Sequence, residues 1–120
     1  MHKISPKDKF KLFHDYWSPK IVSELNDSYI KFAKFKGEFV MHQHDNEDEL
    51  FYVIEGVLRI EFEDDDPVVL EAGEMIVIPK GMKHKPIADN EAHIMLIEPK
   101  STLNTGDTIN QLTKEKLDWI

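Results

Sequence analysis

The sequence predicts an all-β domain, either a sandwich or a barrel, on three observations. Apolar runs of about five to eight residues recur from Ser28 to Glu98 at roughly 8–12-residue spacing, which is the rhythm of short strands. Turn chemistry punctuates them at Glu55-Gly56, Asp64-Asp65-Asp66-Pro67, Ala72-Gly73, Pro79-Lys80-Gly81 and Asp89-Asn90. Within the runs, polar and apolar residues alternate, as in "YIKFAKF", the period-two signature of a strand with unlike faces.

Each element follows in order. Ser5 before Pro6 is an N-cap followed by a first helical position, so "SPKDKFKLF" begins a short helix. Pro19 stops any helix in "DYWSPKIVSEL", and "KIVSEL" reads as a first strand, with Asn26-Asp27 as the turn into "SYIKFAKFKGEF". "EFVMHQH" continues past Gly37, and "LFYVIEG" and "VLRIEFE" hinge at Glu55-Gly56. "VVLEAG", "EMIVIP", "KPIAD" and "AHIMLIEP" complete the strands. "PKSTLNTGDTIN" is a long polar connection expected to pack along the barrel, and "TKEKLDWI" is a last helix or a docked extension anchored by Trp119 and Ile120. The whole is one domain over residues 1–120, with a barrel core at about 28–98 and extensions at 1–27 and 99–120.

Composition narrows the partners. With 23 acidic against 15 basic residues, the net charge of −8 disfavours nucleic acid and anionic membrane surfaces, both of which need a basic face. No cysteine is present, so thiolate ligands, disulfides and a cysteine nucleophile are excluded. The first residues, "MHKISPKDKFKLF", have no apolar core of a secretory signal, no run approaches the length of a membrane span, and the expected location is cytoplasmic.

Chemistry concentrates in "MHQHDNEDELFYVIEG" and "GEMIVIPKGMKHKP". Residues two apart on a strand share a face, so His42 and His44 point one way. That pair is either two exposed strand histidines or half a metal site. Glu49 opens the next strand on the same face as Phe51 and Val53, whereas Asp45, Glu47 and Asp48 read as a solvated turn. His84 follows a Gly-containing turn and is placed to converge on the first pair. His93 reads as a surface or satisfied core residue and His14 as a packing residue. Lys80, Lys83 and Lys85 read as solubilising charges, with attraction of an anionic substrate as the alternative.

On these two stretches the chain resembles the cupin superfamily. The first cupin motif is matched by Gly37, His42, His44, Glu49 and Gly56, with one residue fewer between Gly37 and His42 than the usual pattern. The second is matched by Gly73, Pro79, Gly81 and His84, with Ala88 where asparagine usually stands. The closest type is the small, stand-alone barrel labelled "cupin 2 conserved barrel" or mannose-6-phosphate isomerase-like. The resemblance implies a double-stranded β-helix (jelly-roll) barrel and His42, His44, Glu49 and His84 as ligands of one divalent transition metal. Three imidazoles and a carboxylate accommodate Fe, Mn, Ni, Co, Cu or Zn and leave octahedral positions open. It also implies a metal-dependent enzyme acting on a small organic substrate by oxidative cleavage or isomerisation. The alternatives are a metal-dependent small-ligand binder or sensor without turnover, and a structural barrel with a vestigial site. No acid/base group beyond the metal set is evident, which weakens isomerisation. Alternation from Glu49 and His42 places Val40, Phe51 and Val53 in a pocket, with Met75, Val77, Met95 and Ile97 as candidates from other strands. Residues 1–27 are expected to add a strand to a partner in a two-fold homodimer.

Overall fold

The computed structural model describes residues 1–120. Ser5 caps α1 (Pro6–Lys9) by accepting a hydrogen bond from the Asp8 amide, and a 3-10 turn, Phe10–Leu12, follows. Seven strands come next: β1 (Lys20–Leu25), β2 (Ser28–Glu38), β3 (Glu49–Glu55), β4 (Val57–Phe62), β5 (Val68–Glu71), β6 (Met75–Ile78) and β7 (His84–Pro99). A two-residue β8 (Asp118–Trp119) ends the chain. This is the all-β fold that the strand rhythm predicts and the jelly roll that the resemblance implies.

β7 organises the barrel. "KPIAD" and "AHIMLIEP" form one 16-residue strand rather than two, bent at the exposed Asp89–Glu91 corner. Its first half pairs with β4 (Arg59↔Ile87, Phe62↔His84) and its second half with β3 (Leu50↔Ile97, Val53↔Ile94), while β2 runs antiparallel along both halves. One strand thus belongs to both walls. Gly56 makes the β3–β4 corner possible there: at φ +90° it lies so close to Ala92 that a Cβ would sit 2.9 Å from the Ala92 Cα.

The interior is filled from one face of each strand: Ala33 and Phe35 on β2, Phe51 and Val53 on β3, Leu58 and Ile60 on β4, and Ala92, Ile94 and Leu96 on β7. A second cluster lies outside the wall, where Phe10, Phe13 and Val22 cover Phe32. The middle of β2 is therefore buried on both faces, which explains why Lys31 and Lys34 do not reach solvent, whereas Lys36, near the strand end, does. Lys31 shares the inward face with Ala33 and Phe35, and Lys34 lies under the N-terminal segment, donating to the Phe13 carbonyl at 2.7 Å.

Several expectations need correction. Of the two expectations for the tail, the docked extension holds and the helix does not: β8 pairs in parallel with β1, and Ile120 packs on the outer cluster. His14 is exposed rather than packed. The expected phases on β6 and β7 were one residue out. Met75 and Val77 are more than half exposed, because the pairing Tyr52↔Met75 sets them outward beside Tyr52 while Ile76 and Ile78 turn in. Met95 packs on the outer cluster and Ile97 faces the same way, because Ile94, Leu96 and Glu98 hold the inward positions.

Candidate metal centre

His42 and His44 do not continue a regular strand. β2 ends at Glu38, and the chain rejoins the wall through one bridge, in which His42 N donates to His84 O at 3.0 Å and His84 N donates to His42 O at 2.8 Å. Gly81 N donates to His44 O at 2.8 Å, tying the second motif's turn to the first. Glu49 sits at the first position of β3 opposite Ile78. All four side chains are buried, and one ligand atom from each lies within 4.8 Å of every other. Donors about 2.1 Å from a single ion stand at most about 4.2 Å apart, so a small inward adjustment closes the set around one metal.

Ring orientation supports the same reading. His42 and His84 each place Nδ1 2.9 Å from a backbone carbonyl, of Val40 and Met82 respectively. A carbonyl can only accept, so Nδ1 carries the proton in both rings, and in the neutral ring Nε2 is left as a lone pair facing the centre. Burial, reinforced by the neighbouring His84, lowers the His42 pKa to about 4 and keeps that ring neutral. His84 Nε2 stands 3.1 Å and His44 Nε2 3.4 Å from Glu49 Oε1, and both ring nitrogens of His44 are buried without a hydrogen-bond partner. Converging lone pairs, an unpartnered imidazole and a carboxylate fit a cation. The set could hold a metal ion through three nitrogens and one oxygen.

Two residues of the site escaped the sequence reading. Glu98 is the next inward residue after Leu96, and the register Leu50↔Ile97 sets it beside Glu49. Lys31 Nζ lies 2.7 Å from Glu98 Oε1, each side chain 1% exposed. Burial alone would raise the Glu49 pKa, but the Glu98, His44 and His84 side chains hold it well below the usual carboxylate range. Burial and the facing Glu49 charge push Glu98 well above that range, with Lys31 opposing. The inward series Ala92, Ile94, Leu96 would have reached Glu98 had its phase been anchored.

A narrow cavity adjoins the centre, with room for about one water at about 20 Å³. Its wall is aromatic: Trp17 stacks on Phe35 and Phe39 at 4.2 and 4.8 Å, and Phe51 closes the other side. Of the seven expected pocket residues, Val40, Phe51, Val53, Met75, Val77, Met95 and Ile97, only Phe51 lines it. Val40 is half-buried against the core and supplies the carbonyl that orients His42, while Met75 and Met95 face away for the reason of phase given above. Trp17 was not foreseen in this role. It holds a left-handed backbone at φ +58°, and its indole donates to the Lys36 carbonyl at 2.9 Å.

The connection from Lys100 lies across this end of the barrel. Asn104 reaches the cavity, Asp107 N donates to Gln43 O at 2.9 Å, and Gln43 N donates to the Asp107 carboxylate at 3.0 Å. Lys83 and Lys85 are engaged by Glu63 and Glu38, which fits the solubilising reading. His93 stacks on Phe10 at 4.4 Å and contacts Glu55 and Glu91, a satisfied residue outside the centre.

Residues 30–98 match the family model described as cupin domain, Cupin_2, and the chain belongs to that family. A cupin-2 domain containing protein from Shewanella frigidimarina is 52% identical in sequence, with a TM-score of 0.79 over 81% of this chain and 94% of that one. Protein NMB1881 from Neisseria meningitidis is 27% identical, with a TM-score of 0.76 over 82% of this chain and all of that one. The uncharacterized protein YdbB of Bacillus subtilis is 45% identical over 64 residues, which are 53% of this chain and 57% of that protein, so the chain spans little more than half the curated relative.

Proposed function

We propose that the protein is a metal-dependent cupin that acts on a small organic substrate, with His42, His44, Glu49 and His84 as the ligands of one divalent transition metal. The observation that carries this reading is the convergence of three buried imidazoles on Glu49, two with their lone pairs turned inward by backbone carbonyls. The bound ion would act as a Lewis acid, polarising a substrate oxygen or lowering the pKa of bound water. The protein's own residues would do the rest. Val40 and Met82 orient the rings, Glu49 lowers the charge of the centre, and Trp17, Phe35, Phe39 and Phe51 exclude water and favour a flat or apolar substrate body.

Oxidative cleavage and isomerisation are the reaction types this donor set fits. Isomerisation is less disfavoured than the sequence alone implied, because Glu98 places a carboxyl beside the ligand set. The second reading, a binding or sensing module without turnover, draws on the small size of the cavity, which admits a substrate only if a wall moves. No mannose-6-phosphate isomerase activity is taken from the label. A cytoplasmic location and a homodimer are part of the proposal. A sedimentation mass of one chain would remove the dimer.

Elemental analysis of tag-free protein tests the centre: about one equivalent of metal is expected, lost in His42→Ala. Absence of any metal after reconstitution with each of the six candidate ions would overturn the reading. Oxygen uptake and NMR-monitored isomerisation with enediol, catechol and 2-oxo acid substrates then separate enzyme from binder.

A further inference from the structure

The N-terminal segment crosses the outer face of the barrel wall beside a row of unlike side chains. The registers Lys34↔His93 and Glu55↔His93 set Lys34, His93 and Glu55 next to one another on β2, β7 and β3. Between this row and α1 lies a groove of about 550 Å³, the size of a small-ligand site, against about 20 Å³ beside the metal centre. Its floor is apolar where Phe10 stacks on His93 at 4.4 Å. Its rim is basic: Lys7 and Lys11 are exposed and engaged in no ion pair. Its one carboxylate, Glu55, is held by His93 at 3.2 Å. Lys34 sets this groove apart. Three lysines of the chain are buried, and two of them face a carboxylate, Lys20 meeting Asp15 at 2.9 Å and Lys31 meeting Glu98 at 2.7 Å. Lys34, 6% exposed, has only the Phe13 carbonyl at 2.7 Å and the face of the Phe13 ring at 5.2 Å. An ammonium carries three donors, and burying it without a counter-charge is costly. Lys34 lines the groove, so a counter-charge can reach it from there.

We propose that this groove is a binding site for a small organic anion, a carboxylate or phosphate monoester on a flat apolar body. The anionic head meets the Lys34 ammonium, Lys7 and Lys11 close over it, and the body lies on the Phe10–His93 stack. In a chain of net charge −8, three lysines without a carboxylate partner around one groove are a local feature, not the character of the whole surface. None of the four candidate metal ligands lines the groove, so the site stands independently of the metal-centre reading.

The test follows amide NMR shifts of the full chain, treated with chelator, as phenyl phosphate or benzoate is added. Benzyl alcohol is the neutral control, and inorganic phosphate is the head group alone. At least one aromatic anion should give saturable shifts at Phe10, Lys34 and His93, benzyl alcohol none, and inorganic phosphate binding about tenfold weaker. Lys34→Met removes a buried charge at similar volume and should fold, with affinity for the aromatic anion reduced about tenfold or more. Lys7→Gln combined with Lys11→Gln alters only the exposed rim and should reduce it about two- to fivefold. Neither anion saturating, shifts confined to the surroundings of His42 and His84, or wild-type affinity in folded Lys34→Met would overturn the proposal. Equal affinity for benzyl alcohol or for inorganic phosphate would overturn the ligand class. Should Lys34→Met not fold, wild-type affinity in the Lys7 and Lys11 double variant overturns the site.

Discussion

His42 illustrates how much a single residue is asked to do. Its ring is held by the Val40 carbonyl, packed edge-on against Phe39, and kept neutral by burial. Its folded pKa of about 4 lies below the ordinary imidazole value of 6.5, so between these values the unfolded chain binds more protons than the folded one. The associated stability is complete above about pH 6.5 and lost as pH falls toward 4, about 3 kcal/mol for this group alone. Glu49, also depressed, acts in the same direction at lower pH. Denaturant midpoints of metal-free protein should therefore fall from pH 7 to pH 4, and the fall should shrink in His42→Phe. A flat profile would contradict the burial of a neutral ring. His44→Ala makes a separate point. Its ring nitrogens have no hydrogen-bond partner, so its loss should abolish stoichiometric metal while circular dichroism stays that of a folded barrel. Full metal retention in that variant would remove His44 from the ligand set.

Among the elements, the strap from Lys100 to Leu117 packs on the barrel as its polar sequence was expected to. It holds no strand or helix, yet Thr105 is fully buried, Thr105 and Thr113 share a 2.7 Å hydroxyl contact, and Asn104 bonds to Leu112 and Lys114 across the strap. Gly106, at φ +55°, passes so close to the Gln43 carbonyl that a Cβ would overlap it. No side chain relieves a backbone clash by changing rotamer, so Gly106→Ala must lift the strap from the His42–His44 segment. We expect a loss of about 1–3 kcal/mol, read as faster hydrogen exchange at Asp107 and through the strap, with β2, β3 and β7 unchanged. Unchanged protection of Asp107, whose amide bonds to Gln43, would mean that the contact tolerates a methyl group. The N-terminal segment is the other addition. Phe10→Ala should cost about 3–5 kcal/mol, since Phe10 is buried against Phe13, Phe32 and His93 on the outer wall. A change under about 1 kcal/mol would show that this segment is not part of the cooperative fold.

For the whole molecule, the barrel core and the centre are separable. The interior cluster is filled by apolar side chains packed on one another, and it meets the candidate ligands only at its edge, through Phe39 beside His42 and Phe51 beside His84. Metal should therefore raise stability by mass action rather than create the fold. An ion at a thousand times its dissociation constant contributes about 4 kcal/mol, or roughly 10–20 °C in Tm for a chain of this size. Chelation should return the protein to a lower but still cooperative transition. A non-cooperative melt after chelation would show that the ion is needed for packing. No helix is long and apolar enough to cross a membrane.

Strand rhythm and turns were legible in the chain, because period-two patterning and turn chemistry are local, whereas the set His42, His44, Glu49 and His84 was implied by the resemblance of two motifs to the cupin pattern. The sequence did not determine phase on strands with no polar anchor. β6 and β7 are apolar on both faces, so Met75, Val77, Met95 and Ile97 looked as inward as Ile78, Ile94 and Leu96. Nor did it show that Lys31 faces the core, because the N-terminal segment that covers the opposite face of β2 comes from a distant part of the chain. The register of β3 against β7, which sets Glu98 beside Glu49, and the strap that crosses His42 are likewise long-range facts. They depend on which surfaces remain to be covered once the barrel has closed, and only the tertiary structure decides that.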